Sequence, residues 1–288
     1  MLEPENNPYP STMQRVIVTG AASGLGRAIA LRYAREEADI CIADVNMDGA
    51  KETQAFVESE GGKAWIFSLD VRVPEQWDLL KAEVQARWDG LDVLVNNAGV
   101  GAGDRIEQGR WEDWEWIIDI NLKGVVLGCR TFTAMMKAQG SGHILNTASL
   151  AGLMNLPGMA SYNVTKAGVV ALSETIHYEL EPYGIGVTVL CPSFFKTNLG
   201  SSLRTTDPTS KERLAELYEA SELDADQVAD IAFQSMQRNQ LICNPHQLGK
   251  RAYFVKRYLP WLFSFAMRKA AKETKRGDPG LLSFKGMQ

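Results

Sequence analysis

The sequence has little from which a metal centre, a disulfide framework or a membrane span could be built. Of its 288 residues only four are cysteine and three are histidine, scattered without a C-x-x-C pair. This scarcity argues against a zinc or other metal site and predicts buried, reduced thiols. No apolar run approaches the roughly 20 residues that cross a bilayer. The first residues lack the basic flank and apolar core of a signal peptide, so we expect residues 1–13 to be a flexible leader and the protein to be cytoplasmic.

The remaining composition is that of one α/β enzyme domain. Hydrophobic residues make up 45% and charged residues 23%, and a chain of this length commonly folds as a single doubly wound unit. Short β-branched runs lie at 14–20, 38–45, 63–70, 91–99, 142–149 and 185–193, with helical stretches at 26–37, 47–60, 74–88 and 111–139 between them. Several runs are almost continuously apolar, as in parallel strands covered on both faces. We predict a Rossmann-type, doubly wound parallel sheet with helices on both faces over residues 14–244, with its ligand crevice at the carboxyl ends of the strands.

A glycine-rich turn connects the first predicted strand to the first predicted helix. It runs from Thr19 to Gly26 with the sequence TGAASGLG. Glycines permit a tight turn and a close approach to a pyrophosphate, and the following helix offers free N–H groups and partial positive charge to that anion. Glycine-rich turns are common by themselves, so the prediction of a dinucleotide site depends on this position in the chain.

Asp44 ends the second predicted strand, eighteen residues after Gly26. A carboxylate at this point can accept hydrogen bonds from the adenosine ribose and would repel a 2′-phosphate. No cation directly follows Asp44, and Arg27, the one nearby base, lies at the helix start. The pattern favours NAD over NADP, although an ordinary strand-end aspartate is the alternative interpretation.

Ser149, Tyr162 and Lys166 are the candidate catalytic residues. Tyr162 and Lys166 lie four residues apart in a helical segment, which places them on one helix face. A phenol with a pKa near 10 is a poor base at neutral pH, and a neighbouring ammonium stabilises the phenolate and lowers that pKa. Tyr-x-x-x-Lys alone is a weak pattern, since two helix-surface residues produce it equally well.

Taken together, these motifs resemble the short-chain dehydrogenase/reductase family, from Gln14 to about Asn244. The matching elements, in order, are the glycine-rich turn, Asp44, Asp70-Val71, Asn96-Asn97-Ala98-Gly99, Asn121, Ser149, Tyr162 with Lys166, and Pro192 with Thr197. The resemblance implies a catalytic set of Asn121, Ser149, Tyr162 and Lys166. It also implies a cofactor site formed by Gly20, Ser23, Gly24, Leu25, Gly26, Asp44, Asp70, Val71, Asn97, Ala98, Gly99, Tyr162, Lys166, Pro192 and Thr197.

The resemblance also implies a role for each group. Tyr162 would be the general acid/base, Ser149 would hold the substrate oxygen, and Lys166 would bind the nicotinamide ribose and tune Tyr162. Asn121 would kink its helix and bind a water that links Lys166 to solvent. Asp70 and Val71 would flank the adenine, Asn97 would support the ribose side of the site, and Thr197 would reach the carboxamide. Members of the family are commonly homodimers or homotetramers, and the helix that begins with Trp111, Trp114 and Trp116 often forms a dimer interface, although ordinary packing explains these tryptophans equally well.

The chain departs from the family pattern at two places. Ser193 follows Pro192 where glycine is usual, which would narrow the nicotinamide pocket.

The segment of about 194–223 takes the place of the substrate lid, and it is rich in Phe and Leu, as is the stretch after Ser149. We therefore expect an NAD-dependent enzyme that interconverts a hydrophobic secondary alcohol and its ketone. The alternatives are a non-catalytic NAD-binding sensor and, with less support in so short a chain, an epimerase or dehydratase of the family's extended branch.

The second departure is a basic C-terminal extension at residues 245–288. Residues 247–276 contain nine Lys or Arg and one acid, although the whole chain has a net charge of −5. Apolar residues recur at helical spacing, and Pro260 is well placed to begin a second helix. Packing on its own or a neighbouring subunit is one interpretation, and contact with an anionic membrane surface is the other. An acidic body without a recognition motif argues against nucleic acid.

Overall fold

The computed structural model describes residues 13–196, 198–207 and 210–275. Seven strands are present: β1 (Arg15–Thr19), β2 (Asp39–Asp44), β3 (Lys63–Ser68), β4 (Val93–Asn96), β5 (Gly142–Thr147), β6 (Ile185–Leu190) and β7 (Ile242–Cys243). All strand pairs are parallel, in the order β3-β2-β1-β4-β5-β6-β7. The prediction of a doubly wound parallel sheet is confirmed. Because the chain winds outward in both directions from β1 and β4, a crevice opens where the loops after these two strands diverge.

The described helices are α1 (Gly24–Ala34), α2 (Met47–Ser59), α3 (Pro74–Trp88), α4 (Trp111–Ile118), α5 (Gly124–Gln139), α6 (Leu150–Met154), α7 (Ala160–Leu180), α8 (Ser210–Glu219), α9 (Ala225–Gln237), α10 (Gln247–Tyr258) and α11 (Pro260–Lys275). Most of the predicted strands are shortened at their carboxyl ends, where the chain leaves the sheet to form the crevice loops. Of the predicted leader only Met13 is described, so residues 1–12 lie outside the described part, as do residues 276–288 of the predicted extension.

The sheet is covered on both faces, as the apolar strands predict. Ile17 and Leu94 face one side, where they pack with Trp77 of α3 and Phe132 of α5. Val16 on the opposite side packs with residues of α1 and α9. Alternate residues of each strand therefore fill two separate cores, one on each face.

The stretch predicted as one helix over 111–139 is interrupted. Residues Asp119–Lys123 form a π-helical turn between α4 and α5, and Asn121 lies in the middle of it. π-turns arise where one extra residue is accommodated in a helix. Here the turn allows the Asn121 side chain to point at the neighbouring loop, as described below.

None of the helices within the described ranges combines the length and the apolar character that crossing a bilayer would require.

Phe132 tests the core on the α5 side of the sheet. This residue is fully buried and makes an edge contact with Trp77, with the ring centroids 6.4 Å apart. Replacing it with alanine should lower the free energy of unfolding by roughly 3–5 kcal/mol, because a large buried ring is lost and a cavity is left. The matched control is Val126→Ala in the same helix, since Val126 is 39% exposed and its loss should change stability by less than about 1 kcal/mol. Equal losses in urea unfolding would contradict this packing.

Candidate active site

The loops after β1 and β4 are fastened together by Thr19. Its hydroxyl donates to the carbonyl of Val95 (3.2 Å) and accepts the N–H groups of Asn97 (2.9 Å) and Ala98 (3.1 Å). The Asn97 amide in turn donates to the Thr19 carbonyl at 3.0 Å. The two sides of the crevice are thus held in a fixed relation by buried hydrogen bonds.

The glycine-rich turn fits tightly against this junction. Gly20 and Gly24 have positive φ angles of 65° and 55°, which favour glycine. A Cβ on Gly26 would lie 2.2 Å from the Gly20 carbonyl oxygen, so the turn can close only with glycine at this position. Ser23 caps α1 without a side-chain hydrogen bond to the helix. Ser23, Gly24 and Leu25 line the cavity, so the helix start can present its free N–H groups to an anion there.

Asp44 is held beside the glycine-rich turn. Its carboxylate accepts the N–H groups of Ala22 (2.9 Å) and Asn46 (2.8 Å). Arg27, the base that could have bound a 2′-phosphate, instead donates to the Ala22 carbonyl and forms a 2.9 Å ion pair with Glu52. Its guanidinium is therefore already paired on the far side of the turn.

The Asp70–Arg72 pair borders the same end of the cleft. Arg72 donates to the Asp70 carboxylate at 2.6 Å, and this hydrogen bond lowers the pKa of Asp70. Asp70, Val71 and Arg72 all line the cavity. The second arginine at this end is therefore also paired with a carboxylate.

Ser149, Tyr162 and Lys166 meet where β5 and α7 adjoin the cleft. Ser149 caps α6, accepting the Ala151 N–H at 3.1 Å and donating to the Pro192 carbonyl at 3.4 Å. The Lys166 Nζ donates to the Thr147 carbonyl at 2.8 Å and lies 5.8 Å from the centre of the Tyr162 ring. All three side chains line the cavity. The helical spacing thus places Tyr162 and Lys166 on one face, beside Ser149.

Burial dominates the electrostatics of this group. It raises the pKa of Tyr162 to about 12, against an opposing hydrogen bond with Ser149. It also lowers the pKa of Lys166 to about 8. In the cofactor-free protein the pKa of Tyr162 therefore lies above its ordinary value of 10. Burial penalises the charged form of each group, but Tyr162 is still a phenol and Lys166 is largely an ammonium at neutral pH.

Asn121 contacts the crevice loop rather than the cavity. Its Oδ1 accepts the Val100 N–H at 2.8 Å and its Nδ2 donates to the Val100 carbonyl at 2.9 Å. A Cβ on Gly99 would lie 3.3 Å from the Asn121 Oδ1 and 3.6 Å from the Lys166 Nζ. Gly99 thus lies between the two side chains, and Asn121 fixes the loop that separates them.

Most of the residues predicted to bind a cofactor line one cavity. The exceptions are Gly26, which lies behind the turn against Gly20, and Thr197, which lies outside the described residues. The cavity has a volume of about 670 Å³ and continues past the catalytic group to a largely apolar end. Its apolar lining includes Val100, Trp116, Leu150, Leu156, Met159, Phe194, Phe195, Leu199, Leu203, Leu214 and Leu217.

Trp116 and Arg204 were not recognised as site residues from the sequence. Trp116 lines the cavity, and the Arg204 guanidinium lies 3.7 Å from its ring centre and 3.2 Å from Asp113. Arg204 also forms a β-bridge with Ala102, which joins the lid segment to the loop after β4. The spacing of Trp116 and Ile120, one helical turn apart, was the available signal, since both line the cavity.

The start of the C-terminal extension reaches the loop after β6. The Ser193 N–H donates to the Nδ1 of His246 at 3.2 Å, and His246 is the residue that caps α10. Burial lowers the pKa of His246, so its ring is neutral and can accept this bond. Nothing in the sequence indicated that these two departures from the family pattern would touch each other.

No cluster of three or more metal-ligating side chains occurs in the described part of the chain.

Comparison with known proteins agrees with this architecture. The sequence model described as short chain dehydrogenase matches residues 14–208. A probable oxidoreductase EphD of Mycobacterium tuberculosis is 32% identical over 254 residues, which cover 85% of this chain but only 43% of that protein. A 3beta-hydroxysteroid dehydrogenase of Mediterraneibacter gnavus is 34% identical over 206 residues, covering 70% of this chain and 72% of that protein. The chain thus spans less than half the length of its mycobacterial relative.

A solved structure leads to the same conclusion. A short-chain dehydrogenase/reductase of Burkholderia phymatum in complex with NAD superposes with a TM-score of 0.78 at 27% identity, covering 94% of this chain and 98% of that one. Structures of this fold have been solved in complex with NAD or with NADPH. The fold, the motif order and these matches establish that the chain belongs to the short-chain dehydrogenase family.

Proposed function

We propose that this oxidoreductase uses NAD to interconvert a hydrophobic secondary alcohol and its ketone, with Tyr162 as the general acid/base. One observation supports the proposal most strongly: Tyr162, Ser149 and Lys166 line the same cavity as the glycine-rich turn and a group of apolar side chains. A substrate oxygen beside Tyr162 would therefore have the cofactor cleft on one side and room for an apolar body on the other.

The cofactor cleft suits a nicotinamide dinucleotide. The glycines of the turn from Gly20 to Gly26 allow the backbone to approach a pyrophosphate closely, and the start of α1 provides N–H groups for it. Lys166 and Asn97 border the inner end of the cleft. When bound there, the nicotinamide would accept a hydride in oxidation and donate one in reduction.

The protein's own contribution is to position the substrate oxygen and to move a proton. In reduction, the Tyr162 O–H donates its proton as negative charge develops on the carbonyl oxygen, and the Ser149 hydroxyl donates a second hydrogen bond to that oxygen. The Lys166 ammonium then stabilises the phenolate left on Tyr162. In oxidation the proton moves from the alcohol to Tyr162. A non-catalytic sensor would have no need for this buried group.

The charged groups near the adenosine end of the cleft favour NAD over NADP. The Asp44 carboxylate lies where an adenosine 2′-phosphate would be repelled. Arg27 and Arg72, the two cations near this end, are already paired with Glu52 and Asp70. An NADP-binding site would need at least one of them to turn toward the phosphate and leave its partner.

The lining of the cavity favours a hydrophobic substrate. Aromatic and aliphatic side chains from three separate segments surround the space beyond Tyr162. Such a wall favours an apolar body and gives a polyol few partners. The similarity to a 3beta-hydroxysteroid dehydrogenase supports a bulky hydrophobic alcohol. We also propose that the enzyme is cytoplasmic and assembles as a homodimer or homotetramer.

Tyr162→Phe tests the chemistry. The variant should lose alcohol-dependent NADH formation by about 10²–10⁴-fold in kcat, the usual contribution of general acid/base catalysis, while the Kd for NAD stays within a few-fold. The reaction is followed by the absorbance of reduced nicotinamide across a panel of steroid, hydroxyacyl and aryl secondary alcohols. Tyr178→Phe, at an exposed position of the same helix, is the control and should keep wild-type activity. A Tyr162→Phe variant that retains its rate would refute the assigned role.

Asp44→Ala tests cofactor choice. Loss of the carboxylate should weaken NAD binding by about 10–100-fold, the value of hydrogen bonds to a charged group, and should narrow the preference over NADP. Asp48→Ala removes an exposed carboxylate four residues away and should change neither Kd. Both affinities are measured by titration calorimetry. A wild-type protein that binds NADP more tightly than NAD would show that Asp44 has been misread.

Lys166→Met tests the buried ammonium. Because the folded-state pKa of about 8 lies below the ordinary 10.5, the unfolded chain binds more protons between these values, and wild-type stability should rise with pH across that window. Relative to the variant, the rise should be on the order of 2–3 kcal/mol, since one pKa unit corresponds to about 1.4 kcal/mol. Urea unfolding of cofactor-free protein at a series of pH values measures it, with the exposed Lys63→Met as control. Parallel curves for wild type and Lys166→Met would contradict the burial.

A further inference from the structure

The C-terminal helices α10 and α11 expose a continuous series of large apolar residues. Seven of them form what we name the extension patch: Leu248, Phe254, Tyr258, Leu259, Trp261, Leu262 and Phe265. Their exposed fractions range from 38% for Leu248 to 70% for Trp261. Scattered apolar residues are normal on a protein surface, but contiguous exposed apolar groups mark an interaction site.

The aromatic residues of the patch are not needed to hold the extension in place. Ala252 and Tyr253 of α10 and Phe263 and Met267 of α11 pack against the core instead. Phe254 and Tyr258 are one helical turn apart on the outer face, with ring centroids separated by 4.7 Å. Trp261 and Phe265 repeat this spacing on α11. Each helix therefore has an inner face that packs and an outer face that carries an aromatic pair.

Basic residues surround the aromatic pairs. Lys250, Arg251, Arg257, Arg268 and Lys269 are all exposed, and the described residues contain no ion pair to any of them. The sequence of α10 and α11 contains one acid, Glu273. The patch thus combines apolar rings with a local excess of positive charge, on a protein whose net charge is −5.

The charge of the extension patch favours an anionic bilayer over a second copy of the chain as its partner. In a symmetric dimer a patch meets its own copy, so the five exposed cations of one subunit would lie near the same five of the other, and α10 and α11 contain only one acid, Glu273, to offset them. Such like-charge contacts oppose association. An anionic bilayer supplies the opposite charge, an interface for Trp and Tyr rings, and an apolar layer for the Leu and Phe side chains.

The patch is also joined to the wall of the active-site cavity. The Lys256 ammonium of α10 donates to the Leu153 carbonyl of α6 at 2.5 Å. Leu150 and Ala151 of the same short helix line the cavity. A membrane or protein bound to the extension patch would therefore lie close to the apolar end of the active-site cavity.

We propose that the extension patch docks the protein on the surface of an anionic lipid bilayer. The two helices lie in the interface with Phe254, Tyr258, Trp261 and Phe265 among the headgroups and acyl chains, and the basic residues contact the lipid phosphates. The proposal does not depend on the proposed reaction, because it concerns a surface outside the catalytic group.

Vesicle flotation of the full chain tests the docking surface. Wild-type protein should float with vesicles of phosphatidylcholine and phosphatidylglycerol and remain behind with phosphatidylcholine alone. Trp261→Ala/Phe265→Ala and Lys250→Glu/Arg257→Glu should each lower the partition coefficient by about tenfold or more, since one basic residue near an anionic surface contributes a factor of about five. Added salt should weaken the binding of the wild type.

Matched controls separate the patch from surface changes in general. Phe56→Ala/Leu79→Ala removes two exposed apolar residues of α2 and α3, and Lys63→Glu/Arg130→Glu reverses two exposed charges elsewhere. Both should float like wild type, and circular dichroism checks that every variant is folded. Failure of the wild type to float, equal binding to neutral vesicles, or equal losses in the controls would overturn the proposal. Patch variants that alter the oligomeric state in sedimentation without vesicle binding would assign the patch to a second copy instead. None of these readouts measures turnover, so the proposed reaction stands or fails separately.

Discussion

The hydrogen bonds of Thr19 hold together the two loops on which the rest of the site depends. Its hydroxyl links the end of β1 to the loop after β4, and the Asn97 amide completes the link. Once the loops are this close, little room remains for side chains. A Cβ on Gly20 would lie 2.7 Å from the Ala98 Cα, and Gly26 is restricted in the same way. The close packing of the junction therefore requires these glycines, independently of the pyrophosphate binding proposed for them.

Burial is the second constraint, and it acts on chemistry as well as on shape. The apolar wall that surrounds the inner cavity also withdraws Tyr162 and Lys166 from water. It moves the pKa of Tyr162 up and the pKa of Lys166 down. The phenol thus keeps its proton at neutral pH, as the role of general acid proposed for Tyr162 requires. Asn121, in its π-turn, fixes the loop that separates it from Lys166 without lining the cavity itself.

Local patterns in the sequence predict much of this arrangement. Apolar runs predict the parallel strands, because a strand buried on both faces can tolerate few polar residues. The order of the motifs predicts that Ser149, Tyr162 and Lys166 come together, and the structure brings them to one cavity. Pro260 begins α11, in agreement with its preference for the first helical position.

The remaining features depend on contacts between segments distant in the chain. Asn121 in the π-turn bonds to Val100, and Trp116 in the cavity wall contacts Arg204, 88 residues later. The Ser193–His246 bond and the attachment of Lys256 to α6 likewise join the extension to the body of the fold. The sequence supplied the amphipathic pattern of the extension, but which helix face packs inward is decided by the surface it meets. The raised pKa of Tyr162 has the same origin, since its largest cause is burial, which depends on how the segments pack around the ring.

Transfer of deuterium from a labelled alcohol to the cofactor is the most direct test of NAD-dependent oxidation of a hydrophobic secondary alcohol by this protein. Hydrophobic secondary alcohols carrying deuterium on the carbinol carbon are incubated with the protein and NAD, and the reduced nicotinamide is analysed by mass spectrometry. One deuterium should appear on NADH for at least one bulky apolar alcohol and for no polyol. Tight NAD binding without label transfer from any member of a broad panel, or transfer from polyols alone, would contradict it.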